Sequence, residues 1–173
     1  MAYEARALTN RLLDLADMQG LSLTHMALHK VAYFAHGWRL AERAEPLVSE
    51  LFEAWEHGPV LSSVYGAFKG SGRAPVTTRA ERFDPVTQIK AVAAAEFLAE
   101  DVKFLGDIVR AYGRLDALAL SDMTHKAGGP WDRVWNARGK KITLGMRISN
   151  ETIRADFLGQ LVEDASNSSN MAS

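Results

Sequence analysis

The sequence has no cysteine among its 173 residues. This excludes disulfide bonds, thiolate zinc sites and thiol nucleophiles, and it is typical of a cytoplasmic protein. No apolar run approaches the roughly 20 residues that a membrane-spanning helix needs. The first ten residues, MAYEARALTN, lack the apolar centre of a signal peptide. The sequence therefore predicts a cytoplasmic protein with no membrane partner.

The chain also lacks an excess of either charge. Its net charge of −1 argues against a dedicated nucleic-acid coat, and nucleic acid is not an expected partner. Charge is nevertheless unevenly distributed. Residues 42–56 hold five Glu and one Arg, whereas residues 132–147 hold five basic residues and one Asp. These segments are interpreted as two solvated faces or, alternatively, as two poles of a protein-docking surface.

Apolar residues make up 47% of the sequence, which is enough for an ordinary core. Most of them recur with the 3.6-residue period of an amphipathic helix. The predicted fold is an all-α, compact single-domain bundle of about six or seven helices, with at most a small two-stranded β element. The domain is expected to cover residues 1–163, and the polar residues 164–173 are expected to form a disordered tail.

Local signals place the helices and the breaks between them. Thr24 and Asp116 are predicted N-caps, as is Ser149 or Asn150, and Gly20 and Gly139 are predicted helix ends. Residues 51–55 and 75–83 are predicted as short extended pieces that could pair. The predicted helices are residues 4–18, 24–43, 59–69, 88–112, 116–124 or 116–126, 130–139, and a last helix that begins near residue 150.

The histidines of the second predicted helix are candidate metal ligands. His25 and His29 have the i, i+4 spacing of two metal ligands on one helix face, and His36 is a possible third. The zincin pattern needs Glu after the first His, where this chain has Met26. The alternative is a polar helix face.

Nucleophilic catalysis has two candidate constellations, and neither has a recognised nucleophile context such as G-x-S-x-G. A His-dependent hydrolase or metalloprotein is therefore only a minor alternative, and no cofactor is expected. The two constellations are Ser62 with His57 and Glu56, and His125 with Asp122 and Ser121.

Four segments, taken together and in order, resemble one known family. They are LHKVAYFAHGWRLA (residues 28–41), FEAWEHGPVLSSVYGAFK (52–69), LSDMTHKAGGPW (120–131) and ISNETIRADF (148–157). In this order and spacing they resemble the Panacea domain, the SocA-like antitoxin family. The shared positions are Lys30, Tyr33, Phe34, Gly37, Trp38, Phe52, Trp55, Gly58, Pro59, Val60, Tyr65, Thr124, His125, Pro130 and Trp131. At position 29 the family often has Gln.

The resemblance implies a mostly helical, non-enzymatic antitoxin that binds and neutralises a protein toxin encoded by the adjacent gene. It also implies an alternative function, that of a proteolytic adaptor that delivers the toxin to a AAA+ protease. Some family members carry an additional DNA-binding domain, for which this chain is expected to have no room.

Two breaks, Gly58-Pro59 and Gly129-Pro130, lie beside aromatic residues and histidines, and Trp is enriched at binding hot spots. The hypothesis is that both turns are rigid, exposed and close together, and that they form the toxin-binding face. Its predicted residues are Trp55, His57, Gly58, Pro59, Val60, His125, Lys126, Pro130 and Trp131.

Overall fold

A computed structural model of the chain describes residues 1–137 and 146–171. This part of the chain has seven α-helices and two small antiparallel sheets, which confirms the predicted helical fold with a small β element. The predicted helix end at Gly139 lies outside the described residues. The helices are α1 (Ala5–Met18), α2 (His25–Arg43), α3 (Ser62–Phe68), α4 (Ala99–Tyr112), α5 (Ala117–Thr124), α6 (Pro130–Ala137) and α7 (Asn150–Met171). The strands are β1 (Glu53–Trp55), β2 (Gly58–Val60), β3 (Glu81–Asp84) and β4 (Ile89–Val92).

Helix α2 lies at the centre of the fold, where it packs against α1, α4, α5, α7 and β2. Its apolar stripe, which includes Leu28, Val31 and Ala35, is fully buried. Gly37 lets α7 approach closely, because a Cβ atom at this position would overlap the ring of Phe157. A buried ion pair between Arg39 and Asp101 joins α2 to α4.

The predicted caps are confirmed. Thr24 Oγ1 accepts a hydrogen bond from the Ala27 N–H at 3.2 Å, and Asp116 Oδ1 accepts one from the Ala119 N–H at 2.8 Å. At α7, the Ser149 hydroxyl accepts from the Thr152 N–H at 3.2 Å. Each side chain satisfies a backbone N–H group that the first helical turn leaves without an intrahelical acceptor.

The single helix predicted over residues 88–112 is wrong in its first half. Residues 89–92 form β4, residues 93–98 have no regular secondary structure, and only Ala99–Tyr112 is helical. The cause is a tertiary contact, because the buried amide of Asn10 on α1 binds the carbonyl oxygens of both Ala80 and Ala93. Alanine-rich sequence has high helix propensity, but tertiary context overrides such a preference.

The helix predicted to begin at Pro59 is also wrong at its start, because Pro59 lies in β2 and α3 begins at Ser62. The pairing predicted between residues 51–55 and 75–83 does not occur. Instead β1 pairs with β2, with Trp55 opposite Gly58, and β3 pairs with β4, with Glu81 opposite Val92. Each sheet is therefore a local hairpin, which requires no long-range strand pairing.

Helix α7 continues through most of the segment that was predicted as a disordered tail. Ile153 and Phe157 near its start are buried, whereas Leu161 is 38% exposed. Beyond it the hydroxyl of Ser166 donates to the carbonyl oxygen of Val162 at 2.9 Å, and that of Ser168 donates to Asp164 O at 2.9 Å. Both bonds follow the helical period, so the structure has an exposed helical extension here.

Among the helices described, none is both long enough and apolar enough to cross a membrane.

Candidate functional site

The predicted site is built around the tight β1–β2 hairpin, whose two-residue loop is Glu56-His57. Gly58 follows the loop with φ of +109°, a conformation that L-residues rarely adopt. A Cβ atom at this position would also lie 2.6 Å from Lys30 Cε and 2.7 Å from Thr124 Oγ1. Backbone conformation and space therefore both require glycine.

Lys30 on α2 packs against this hairpin. Its side chain is fully buried, and its ammonium group donates a hydrogen bond to the carbonyl oxygen of Pro59 at 3.2 Å. Burial lowers the pKa of Lys30 to about 7, since the charged form loses its hydration. The lysine thus links the central helix to the hairpin through a buried hydrogen bond.

Helix α5 also packs against this hairpin. The Ser121 hydroxyl donates to the carbonyl oxygen of His57 at 2.8 Å, and the Thr124 hydroxyl donates to Ser121 O at 2.7 Å. Ser121 thus donates to the backbone of residue 57 and not to the imidazole of His125, whose buried Nε2 has no hydrogen-bond partner among the described residues. The Ser62 hydroxyl donates to Glu50 at 3.0 Å. Neither catalytic constellation suggested by the sequence is assembled.

Helix α6 completes the arrangement through Trp131, whose indole N–H donates to the carbonyl oxygen of Trp55 at 2.7 Å. The Trp131 ring also packs on His125, with ring centroids 3.9 Å apart. These contacts join residues 55–60 to residues 125–131, and the two segments together are called the turn pair below. The structure therefore brings together the two turns that the sequence singled out.

The predicted site residues differ in exposure, which divides them into two groups. Gly58, Pro59, Val60, Pro130 and Trp131 are buried, so the expectation that both turns are exposed is wrong at these positions. The reason is that they fill the space between the hairpin and helices α2, α5 and α6. Four remain accessible: His57 and Lys126 are exposed, and Trp55 and His125 are half-buried.

A groove of about 590 Å³, which the sequence did not predict, opens beside His57. Leu118 on α5 is 78% exposed at its wall, and Met26 on α2 is partly exposed there. This His57 groove was hard to foresee because its walls come from four separate segments of the chain. It is lined by Thr24, Met26, His57, Gly72, Arg73, Asp116, Ala117, Leu118 and Ser121.

The metal hypothesis gains no support from the geometry. His25 and His29 meet edge to face, with ring centroids 6.1 Å apart, and His29 Nδ1 accepts a hydrogen bond from the Leu61 N–H at 3.3 Å. His36 lies elsewhere, where Nδ1 accepts from the Val48 N–H at 3.4 Å and Nε2 lies 2.9 Å from Asn150 Oδ1. Within residues 1–137 and 146–171, no group of three potential ligands is placed to hold a metal ion.

The histidines near Lys30 have lowered pKa values, which favours their neutral forms. Burial lowers the pKa of His29 well below its usual value and lowers that of His25, and the charge of Lys30 acts in the same direction on both. The pKa of His125 is lowered by the same two causes. His29 and His25 therefore behave as packed core histidines, close to Tyr65.

The acidic and basic segments lie side by side at Arg147. Arg147 forms an isolated antiparallel bridge with Glu53, and the next residue, Ile148, donates its N–H to the carbonyl oxygen of Phe52 at 2.8 Å. The basic residues Arg138, Lys140 and Lys141 lie outside the described residues. The two charge poles are thus neighbours at Arg147.

Comparisons with known proteins show which family the chain resembles. A family model described as "Antitoxin SocA-like, Panacea domain" matches residues 28–132. The curated protein "Antitoxin SocA" of Caulobacter vibrioides (strain NA1000 / CB15N) is 34% identical over 161 residues, which cover 93% of this chain and 86% of that protein. No solved structure matches the chain at a significant level. Lys30, the β1–β2 hairpin and α5 all lie inside the matched region.

Proposed function

The chain belongs to the SocA-like antitoxin family that carries the Panacea domain, and we propose that it neutralises a protein toxin by direct stoichiometric binding. The toxin is the cognate protein encoded by the adjacent gene, and the complex forms in the cytoplasm. The antitoxin covers the toxin's active site or membrane-inserting surface and catalyses no reaction itself. An interface of ordinary size, about 1,600 Å² in total, is sufficient for such a block.

The observation that carries the docking face is the rigid connection within the turn pair. The Trp131 to Trp55 bond joins the two segments directly, and the Ser121 to His57 bond fixes the first segment to α5, which leads into the second. A preformed surface binds with little loss of conformational entropy. We therefore place the toxin on the four accessible residues of the turn pair, namely Trp55, His57, His125 and Lys126.

The buried residues of the turn pair have a different task in this proposal. Gly58, Pro59 and Trp131 hold the accessible side chains in position and do not touch the toxin. The His57 groove extends the docking face, since its exposed Leu118 and partly exposed Met26 offer apolar contact next to His57. An apolar centre with a polar rim is the usual composition of a protein interface.

Co-expression tests this function. The neighbouring reading frame is expressed from an inducible promoter, with and without this chain, and growth is measured. The proposal expects growth arrest with the neighbour alone, rescue with this chain, and a complex of fixed stoichiometry on co-purification. Rescue without any complex contradicts direct binding.

A second function, that of an adaptor for a AAA+ protease, is favoured by the exposed end of α7. Val162 is 66% exposed and Met171 is 91% exposed on this helical extension, so it is an accessible handle. Removal of residues 164–173 is expected to leave toxin binding intact. If the chain acts as an adaptor through this handle, toxin half-life in cells that contain the protease lengthens after the truncation. An unchanged half-life contradicts the adaptor function of the handle.

A further inference from the structure

The β3–β4 hairpin projects from the molecule on a firmly held base. Asn10 is 4% exposed, and its amide nitrogen donates to Ala80 O at 2.9 Å and to Ala93 O at 2.8 Å. Its side-chain oxygen accepts from the Ala80 N–H at 2.8 Å. Ala80 and Ala93 are buried, whereas every residue of both strands is exposed. The two residues at the base of the hairpin, Ala80 and Ala93, are therefore held by Asn10, and both strands are exposed to solvent.

Several large apolar side chains of this hairpin are exposed. Phe83 is 56% exposed, Ile89 is 60% exposed and Val92 is 55% exposed. A two-stranded hairpin is only marginally stable by itself in water. The strand register places Phe83 and Val92 on one face of the hairpin and Ile89 on the other. Apolar exposure of this extent is typical of a surface that a partner covers.

The register shows which backbone groups of β4 are available. Ala93 N–H donates to Ala80 O at 2.9 Å, which makes residues 80 and 93 a hydrogen-bonded pair. Bonded and non-bonded pairs alternate in an antiparallel ladder, so Ala91 also faces β3, whereas Lys90 and Val92 turn their N–H and C=O groups outward. Within the part of the chain that the structure describes, these outward groups have no partner.

A groove of about 390 Å³ begins at the Val92 end of this edge, and it is lined in part by Val92, Ala94, Ala95 and Phe97. Arg11 of α1 also lines it, and the buried Nε of Arg11 has no hydrogen-bond partner among the described residues. The neighbouring Arg79 differs, since it is paired with Asp14 and Asp17. For Arg11 and Lys90, residues 1–137 and 146–171 provide no acidic partner.

We propose that the open edge of β4 accepts an extended, acidic segment of the toxin as a third strand. Outward N–H and C=O groups at alternate residues select an extended backbone, which is the basis of β-augmentation. The cations Arg11 and Lys90 select acidic side chains, and Val92 with the groove selects apolar ones. This inference rests on the proposed function, because it names the toxin as the occupant, but it uses a surface apart from the turn pair.

Two matched pairs of variants, titrated with the purified toxin encoded by the adjacent gene, test the proposal. Val92→Pro removes an outward N–H without removing a β3–β4 hydrogen bond, and Val92→Thr keeps that N–H at nearly the same size. Arg11→Glu reverses the charge that α1 contributes to the groove, and Arg82→Glu makes the same change at an exposed position of β3. We expect about tenfold weaker binding for Val92→Pro and Arg11→Glu, and at most about twofold for their controls. Circular dichroism confirms that each variant is folded.

Amide hydrogen exchange provides a second readout that does not depend on substitution. The Val92 amide is expected to exchange fast in the free protein and to become protected in the complex. The Ala91 amide, which already faces β3, is expected to be protected in both.

Each alternative result has a distinct meaning. If the wild-type chain binds the toxin and all four variants bind equally well, the strand proposal is wrong while the proposed function stands. If the wild-type chain does not bind the toxin, both fail. If light scattering shows a homodimer that Val92→Pro dissociates, the occupant is a second copy and the proposal is overturned.

Discussion

The ammonium group of Lys30 lies 3.2 Å from the carbonyl oxygen of Pro59. Lys30 is fully buried, and Pro59 belongs to the hairpin whose loop contains the exposed His57. A buried lysine is costly unless it is paired, and here it has one backbone acceptor. The contact ties the central helix to the turn pair. It also gives the fold a dependence on pH that can be measured.

Lys30→Met is expected to remove a rise in stability with pH. The folded-state pKa of about 7 is below the ordinary value of 10.5, so the unfolded chain binds a proton that the folded chain lacks between these values. The free energy of unfolding of the wild type should therefore increase by about 2 kcal/mol from about pH 7 to about pH 9. Urea titrations at several pH values measure this slope. The exposed-lysine variant Lys103→Met should keep it, and a slope that survives in Lys30→Met contradicts the assignment.

Gly58→Ala is expected to destabilise the fold by about 2 kcal/mol or more, because the left-handed conformation and the crowding by Lys30 and Thr124 act together. Gly66→Ala is the matched control. Gly66 lies within α3, and a Cβ atom there meets nothing within 4 Å. This control should stabilise the protein by roughly 0.5–1 kcal/mol. Thermal unfolding of both variants checks the pair, and equal effects would disprove the special role of position 58.

The sequence was a good guide wherever structure is local. Thr24, Asp116 and Ser149 cap helices as predicted, because a cap depends on three or four neighbouring residues. The prediction was wrong over residues 88–98, because the hydrogen bonds that hold this segment come from Asn10, about 80 positions away in the sequence. Apolar spacing that suits a helix also suits a short strand in this alanine-rich stretch.

The site shows the same division. The aromatic and Gly-Pro composition of the two turns led to the hypothesis that they lie close together, which the Trp131 to Trp55 bond supports. The burial of Trp131 and the buried hydrogen bond of Lys30 to Pro59 were not predicted. A lysine is seldom fully buried, so no composition rule predicts it. The His57 groove depends on how four separate segments pack.

His36→Gln is expected to reduce acid sensitivity. Burial lowers the pKa of His36 to about 4, against 6.5 ordinarily, and the hydrogen bond with Asn150 opposes this only in part. The unfolded chain binds the extra proton, so the wild type should lose about 2 kcal/mol of stability between about pH 7 and about pH 4.5. Unfolding titrations at the two pH values should show a smaller loss for His36→Gln. The exposed-histidine control His57→Gln should behave as the wild type, and an unchanged loss in His36→Gln contradicts the assignment.

Trp131 should act on stability more than on binding, because it is 7% exposed. Trp131→Phe removes the bond to Trp55 O and should cost about 1 kcal/mol. Trp131→Ala also removes the packing on His125 and should cost about 3–5 kcal/mol. Toxin affinity is compared by calorimetry at a temperature where Trp131→Phe is folded. A large loss of affinity in Trp131→Phe without loss of stability would show that the indole contacts the toxin directly.

Calorimetric titration of the double variant His57→Ala/Lys126→Ala with the toxin tests whether the accessible residues of the turn pair form the docking face. The matched control is Lys103→Ala, which removes an exposed lysine from α4 that is likewise ion-paired. We expect a 1:1 complex for the wild type and the control. For the double variant we expect affinity lower by about tenfold or more, with an unchanged unfolding temperature. Equal affinity in all three proteins would show that the toxin does not bind these residues.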